Sequence, residues 1–158
     1  MSQSSPPTPS YALHSIVAAY GLALVPNYYQ VLRMMAATGG QWSFSMPRNN
    51  MDSLKSKVPI AVWNQCYRAR CAHINAYEGF PLFAAAMLAG TIAGLPTEDL
   101  NKSAAQYLGL RALYTGLYIT TTSEVIALGR TSVWALSVGL PAWTLWKAGN
   151  AIRNPVVL

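Results

Sequence analysis

The residues of this chain that could do chemistry are few and close together. Arg68, Cys71, Asn75 and Glu78 recur at three- and four-residue spacing, which on a helix places them within an arc of roughly 80°. Arg111, Tyr114 and Tyr118 repeat the pattern on a later segment, within about 60° of one another. Arg70, His73 and Tyr77 form a second polar cluster on nearly the opposite face of the first helix. Guanidinium groups flanked by neutral tyrosine and amide donors suit a carboxylate or another anion. Arg68, Arg70, Arg111 and Arg130 outnumber the nearby acids Glu78 and Glu124, so positive charge is left over after any internal pairing. The simplest role for Glu78 is an ion pair with Arg68 or Arg111, with general acid–base chemistry as the alternative.

Other reactive residue types lead nowhere comparable. His14 and His73 have no acid or nucleophile at a telling spacing, and with Cys66 and Cys71 they make no repeated ligand pattern for a metal. The two cysteines are five residues apart on one helix, a Cα separation of about 8 Å where bridging needs less than ~7 Å. They are expected as free thiols. No glycine-rich phosphate loop is present.

Elements able to position these side chains must be helices in an apolar medium. The chain has 158 residues, 53% hydrophobic and only 10% charged, with a net charge of +6. Eleven bases cannot cover a phosphate track while half the chain is apolar, so a soluble nucleic-acid binder is disfavoured, and a disordered chain is excluded. Tyr11–Leu32 and Gly79–Thr97 carry no formal charge, and about 20 such residues span a bilayer core. Two less clean segments complete the set, Ser103–Ser123, interrupted by Arg111, and Thr131–Trp146, between Arg130 and Lys147. The expectation is an all-α, integral membrane four-helix bundle over residues 11–152, with helices at about 11–33, 60–94, 103–123 and 130–150 and a disordered tail at 1–10. Tyr28, Tyr29, Trp42, Trp63, Tyr67, Tyr107, Trp143 and Trp146 mark the helix ends as an interfacial belt. Pro81 is expected to kink the second helix above Glu78. The first residues lack a basic n-region and a cleavage site, so the first apolar segment is expected to be retained. Arg33, Arg48, Lys55, Lys57 and Arg130 lie on the face of the first and third loops, against Lys102, Lys147 and Arg153 on the other; five against three favours the first face as cytoplasmic.

The stretch RARCAHINAYEGFPLFAAAMLAG, with Arg68 just ahead of Asn75, Glu78, Pro81, Leu82 and Phe83, resembles the second helix of the membrane-associated proteins in eicosanoid and glutathione metabolism, the MAPEG family. LRALYTGLYI, with Arg111, Tyr114 and Tyr118, is similar to that family's third helix. Arg130-Thr131 followed by Trp134 resembles the basic start of its fourth, and Pro47-Arg48 is similar to its first cytoplasmic loop. The match is sharp over 66–90, fair over 108–134 and weak elsewhere. Departures are Cys71 and Ile74, where many members carry basic residues, a longer turn bearing Glu124, and Thr131 in place of a serine.

The resemblance implies an integral-membrane homotrimer, microsomal and resident in the endoplasmic reticulum, that binds glutathione at subunit interfaces. In that frame Arg68, Asn75 and Glu78 hold the tripeptide, and Arg48, Arg111, Tyr114 and Tyr118 complete the cradle. Arg130, beside the Thr131 hydroxyl, favours the thiolate of glutathione and is the catalytic pair's cation. The expected activity is glutathione transferase- or peroxidase-like, with a lipophilic electrophile or lipid hydroperoxide arriving through the bilayer. The alternative is a non-catalytic membrane adaptor that presents a lipid to a partner enzyme. No metal and no nucleic acid enter either reading.

Overall fold

A computed structural model describes residues 8–154. Among them the chain is all-helical, with no strand: α1 (Ala12–Ala37), α2 (Asn50–Ser53), α3 (Ile60–Ile92), α4 (Thr97–Thr120) and α5 (Glu124–Arg153), plus two single 3-10 turns at Pro47–Asn49 and Lys55–Lys57. Four of the five helices are long, between 24 and 33 residues, and α2 is a single turn of 4. Helix α3 is the organiser and packs against α1, α4 and α5. At 33 residues it is about 50 Å long, well beyond a bilayer core of about 30 Å.

The helix boundaries move from the sequence expectation where charge, not helix chemistry, had been used to place them. Helix α4 begins at Thr97 rather than near 103, because Pro96 serves as its N-cap and Glu98 and Asp99 occupy its first turn, where the helix dipole favours acids. Helix α5 begins at Glu124, also in a first turn, so the connection before it is only Thr121–Ser123. Helix α3 ends where Gly94 takes φ 67°, a left-handed conformation that lets the Gly94 and Leu95 amides donate to the Thr91 and Gly90 carbonyls. It continues through Pro81 without interruption. The tail expected as disordered at 1–10 falls outside the described residues for 1–7, while Pro9 is tied to α4: Asn101 Nδ2 donates to its carbonyl at 2.9 Å.

Packing is inverted relative to a soluble bundle. Buried positions are dominated by small side chains, with Ala12, Ala19, Ala23, Ala69, Ala72, Ala86, Ala104 and Ala148 all at 5% exposure or less. Large apolar groups such as Val17, Leu32, Ile92, Val125, Leu128, Leu136 and Trp146 face outward. Small residues at helix contacts and large ones outside are the pattern of helices that pack in lipid. One helix among the described residues, α5, is both long and apolar enough to cross a membrane by length and composition. Phe83, fully buried, stacks on Tyr107 with ring centroids 3.9 Å apart and locks α3 to α4. A second cluster of Met34, Met51, Leu54, Val58 and Cys66 holds the segment before α3 in place, helped by Trp63 Nε1 donating to the Met51 carbonyl at 2.8 Å.

Candidate functional site

A cleft between α3, α4 and α5 gathers five of the ten residues singled out by spacing, Asn75, Glu78, Arg111, Tyr114 and Tyr118. Its upper part, about 220 Å³, is lined by Asn75, Tyr114, Tyr118, Arg130, Thr131 and Trp134. Its lower part, about 190 Å³, adds Glu78, Gly79, Leu82, Arg111 and Val138. Asn75 and Trp134 line both and make them one feature. The i, i+3, i+7 spacing on α4 puts Arg111, Tyr114 and Tyr118 on its inner side, and the second turn of α5 delivers Arg130 opposite.

Arg111 is 4% exposed although it carries a permanent charge. Its Nη1 donates to Asn75 Oδ1 at 2.9 Å. Its Nε and Nη2 are buried with no hydrogen-bond partner. The guanidinium carbon lies 5.4 Å from the Tyr107 ring centroid and 5.9 Å from that of Tyr114, so aromatic faces supply part of its electrostatic compensation. Arg130 sits over the Tyr118 ring at 4.1 Å, and Tyr118 meets Tyr114 edge-on at 5.5 Å.

The expected ion pair is not formed. Among the described residues the single salt bridge is Lys147–Asp99, 3.1 Å, at the far end of the bundle. Glu78 lies exposed at the mouth of the cleft, and Asn75 takes the contact with Arg111 that the ion-pair expectation had given to Glu78. Arg68 is used elsewhere: its Nε donates to the Ile119 carbonyl at 3.0 Å. That carbonyl lies in the last turn of α4, where no amide follows to bond it, so Arg68 caps α4 from α3. The Thr131 hydroxyl donates to the Ala127 carbonyl at 3.2 Å. In this arrangement it offers lone pairs to the cleft, not a proton.

Arg48 is not brought to this cleft. It lies across α3, on a cavity of about 430 Å³ with Asn27, Gln30, Trp42, Arg70 and His73 among its walls. The second polar face of α3 therefore turns to α1, where His73 Nδ1 is 2.7 Å from the Ala23 carbonyl and Tyr77 meets Tyr20 edge-on at 5.5 Å. Sequence reasoning missed Gln30 and Asn27, whose signal is a pair of amides three residues apart in an otherwise uncharged apolar run. It also gave no role to Gly79, where an added Cβ would run into the Arg111 guanidinium. Cys66 is buried, Cys71 is half-buried, and both are free. No group of His, Cys, Asp and Glu among the described residues could hold a metal ion.

The arrangement can bind an anion: it offers guanidinium, amide and phenol groups in an open cleft, with one acid at its edge that pairs with none of them among the described residues. No curated protein and no solved structure matches the chain. A family model, however, matches residues 15–150, most of its length, and on that evidence the chain belongs to the MAPEG family, a family of membrane-associated proteins that includes glutathione transferases and related proteins.

Proposed function

We propose that the protein is a multi-pass, membrane-embedded enzyme of glutathione transferase or peroxidase type, working as a homotrimer in the endoplasmic reticulum with the first loop cytoplasmic. The observation that carries this reading is the cleft's unbalanced charge: Arg111 is buried with two unpartnered nitrogens, and Arg130 rests on an aromatic ring with no acid in bridging distance. Buried cations persist where a ligand completes them, and glutathione has two carboxylates, peptide carbonyls and a thiol.

Asn75 and Tyr114 would hold the tripeptide along α3 and α4, with Glu78 at the mouth to take its ammonium. Arg111 supplies positive potential beneath it. Arg130 stabilises negative charge on sulfur by proximity and lowers the thiol's proton affinity, and the Thr131 hydroxyl can add to this only by turning its proton from the Ala127 carbonyl to the sulfur. The bound tripeptide supplies the nucleophilic sulfur: on a lipophilic halide it forms the C–S bond as halide leaves, and on a lipid hydroperoxide it takes the outer oxygen as the O–O bond breaks and the alcohol leaves, a second glutathione then reducing the sulfenic acid to disulfide and water. Trp134, on both parts of the cleft, gives the acceptor an apolar wall.

Arg48 joins this site from a neighbouring copy. It faces away from its own cleft, on the cavity that also holds Arg70; a ring of copies joins two different faces of the chain, and we infer that this face and the cleft are the two that meet. The test uses purified protein in detergent with glutathione and a generic chlorinated aromatic. Arg130→Ala should remove thiolate absorbance and turnover, and Arg48→Ala should weaken glutathione binding. Co-expressing the two variants should restore activity at about one site in four, the share that draws Arg130 from one copy and Arg48 from the next. No turnover and no thiolate in the intact protein would overturn the enzyme reading and leave the lipid-presenting adaptor; activity in the mixture no greater than in the separate variants would overturn the shared site.

A further inference from the structure

Gly79 is the one helical glycine among the described residues whose added Cβ would meet a charged group. That Cβ would overlap Arg111 Nη2 and stand 2.9 Å from Cζ. Gly109, Gly116, Gly129, Gly139 and Gly149 have nothing within 4 Å of such a Cβ. Glycine is the poorest helix former apart from proline, so its presence in the middle of α3 is a local cost. What it permits is the close approach of the guanidinium to the α3 backbone.

That approach has a chemical consequence one turn earlier. Arg111 Nη1 lies 2.9 Å from Asn75 Oδ1. A guanidinium has donors and no acceptor, so only the carbonyl end of the Asn75 amide can face it. The Nδ2 end is thereby turned away from Arg111. No hydrogen bond from Asn75 Nδ2 is made among the described residues, while Asn75 lines both parts of the cleft. An amide that could present either end to a ligand is fixed with its donor end free.

We propose that Gly79 is a positioning residue that sets the polarity of the cleft: it admits Arg111, Arg111 holds Asn75 as a donor, and the ligand group bound there is an acceptor, a carboxylate or a peptide carbonyl. The identity of the ligand as glutathione rests on the function proposed above; the interlock of residues 79, 111 and 75 does not.

The experiment compares Gly79→Ala, Arg111→Met, the double variant, Asn75→Asp and the control Gly109→Ala in detergent, by thermal denaturation and by calorimetric titration with glutathione. Gly79→Ala should lower the Tm in the wild-type background and not in the Arg111→Met background, whereas Gly109→Ala should not lower it. Glutathione affinity should fall about tenfold or more in Gly79→Ala, the loss of one hydrogen bond to a charged group, and by a similar factor in Arg111→Met and the double variant. Asn75→Asp keeps an acceptor for Arg111 and removes the donor, so it should keep or raise the Tm while losing glutathione. An equal Tm loss for Gly79→Ala in both backgrounds, or glutathione bound as tightly by Gly79→Ala or Asn75→Asp as by wild type, would overturn the proposal. Failure of the wild type itself to bind glutathione would remove the proposed function, and the two-background Tm comparison would then decide the interlock alone.

Discussion

Arg111→Met should make the ligand-free protein more stable. In the wild type Nε and Nη2 are buried without partners, and each unsatisfied buried donor costs about 1–3 kcal/mol, so their burial opposes folding by about 2–6 kcal/mol. Against this stands one charge-assisted hydrogen bond, Nη1 to Asn75 Oδ1 at 2.9 Å, worth about 1.5–3 kcal/mol. Methionine has a comparable reach and no donors, and its flexible thioether can fill the space beside Tyr107 and Tyr114. At the midpoints of these ranges the gain is about 2 kcal/mol, and the lost contacts with the Tyr107 and Tyr114 rings take back about 1 kcal/mol, so the variant is favoured by about 1 kcal/mol, in line with the general gain on replacing buried charge by apolar groups. For a chain of this size that is a Tm rise of about 2–4 °C. The assay is thermal denaturation in detergent without glutathione, followed by fluorescence of the five tryptophans. A fall in stability of more than about 1 kcal/mol would mean that the guanidinium is satisfied in the free protein and needs no anion.

Two further outcomes follow from the packing. Phe83→Ala should destabilise by about 3–5 kcal/mol, because Phe83 is fully buried and stacked on Tyr107 at 3.9 Å; chemical denaturation in mixed micelles would measure it, and a loss below about 1 kcal/mol would show that this stack does not hold α3 to α4. A maleimide should label half-buried Cys71 faster than fully buried Cys66, with Cys66→Ser and Cys71→Ser identifying the site by mass spectrometry, and equal rates would contradict the burial of Cys66.

Much of the cleft was legible because helical periodicity is a local property. The spacings of Asn75 on one helix and of Arg111, Tyr114 and Tyr118 on another put each set on one face, whereas the site role of Arg130 came from the family resemblance. Pairings were less accessible, since they depend on crossing geometry that a single helix does not encode. Arg68 and Arg111 were equivalent candidates to meet Glu78, yet one caps the end of α4 and the other reaches Asn75. Helix starts were misplaced for a related reason. Uncharged runs mark what can sit in lipid, whereas α4 and α5 begin on charged first turns at Glu98, Asp99 and Glu124. Arg48 shows the remaining limit: the reading that put it in the glutathione cradle came from resemblance, and a single chain places it across α3.

The bundle's polar groups divide by whether the chain itself satisfies them. Arg68 on the Ile119 carbonyl and His73 on the Ala23 carbonyl are tied to backbone at 3.0 and 2.7 Å and act as staples from the two faces of α3. At the end holding Gly94 and Pro96, Lys147 is neutralised by Asp99. At the opposite end, where α1 and α4 finish and α3 and α5 begin, Arg33, Arg48, Lys55, Lys57, Arg70 and Arg130 have no acid within bridging distance among the described residues. Membrane topology accounts for basic residues in loops and at the starts of spans, Arg130 among them, but it does not explain why Arg70 and Arg130 line cavities. Under the proposed function that charge serves a bound anion, and the two cavities on either side of α3 are where such an anion would meet it.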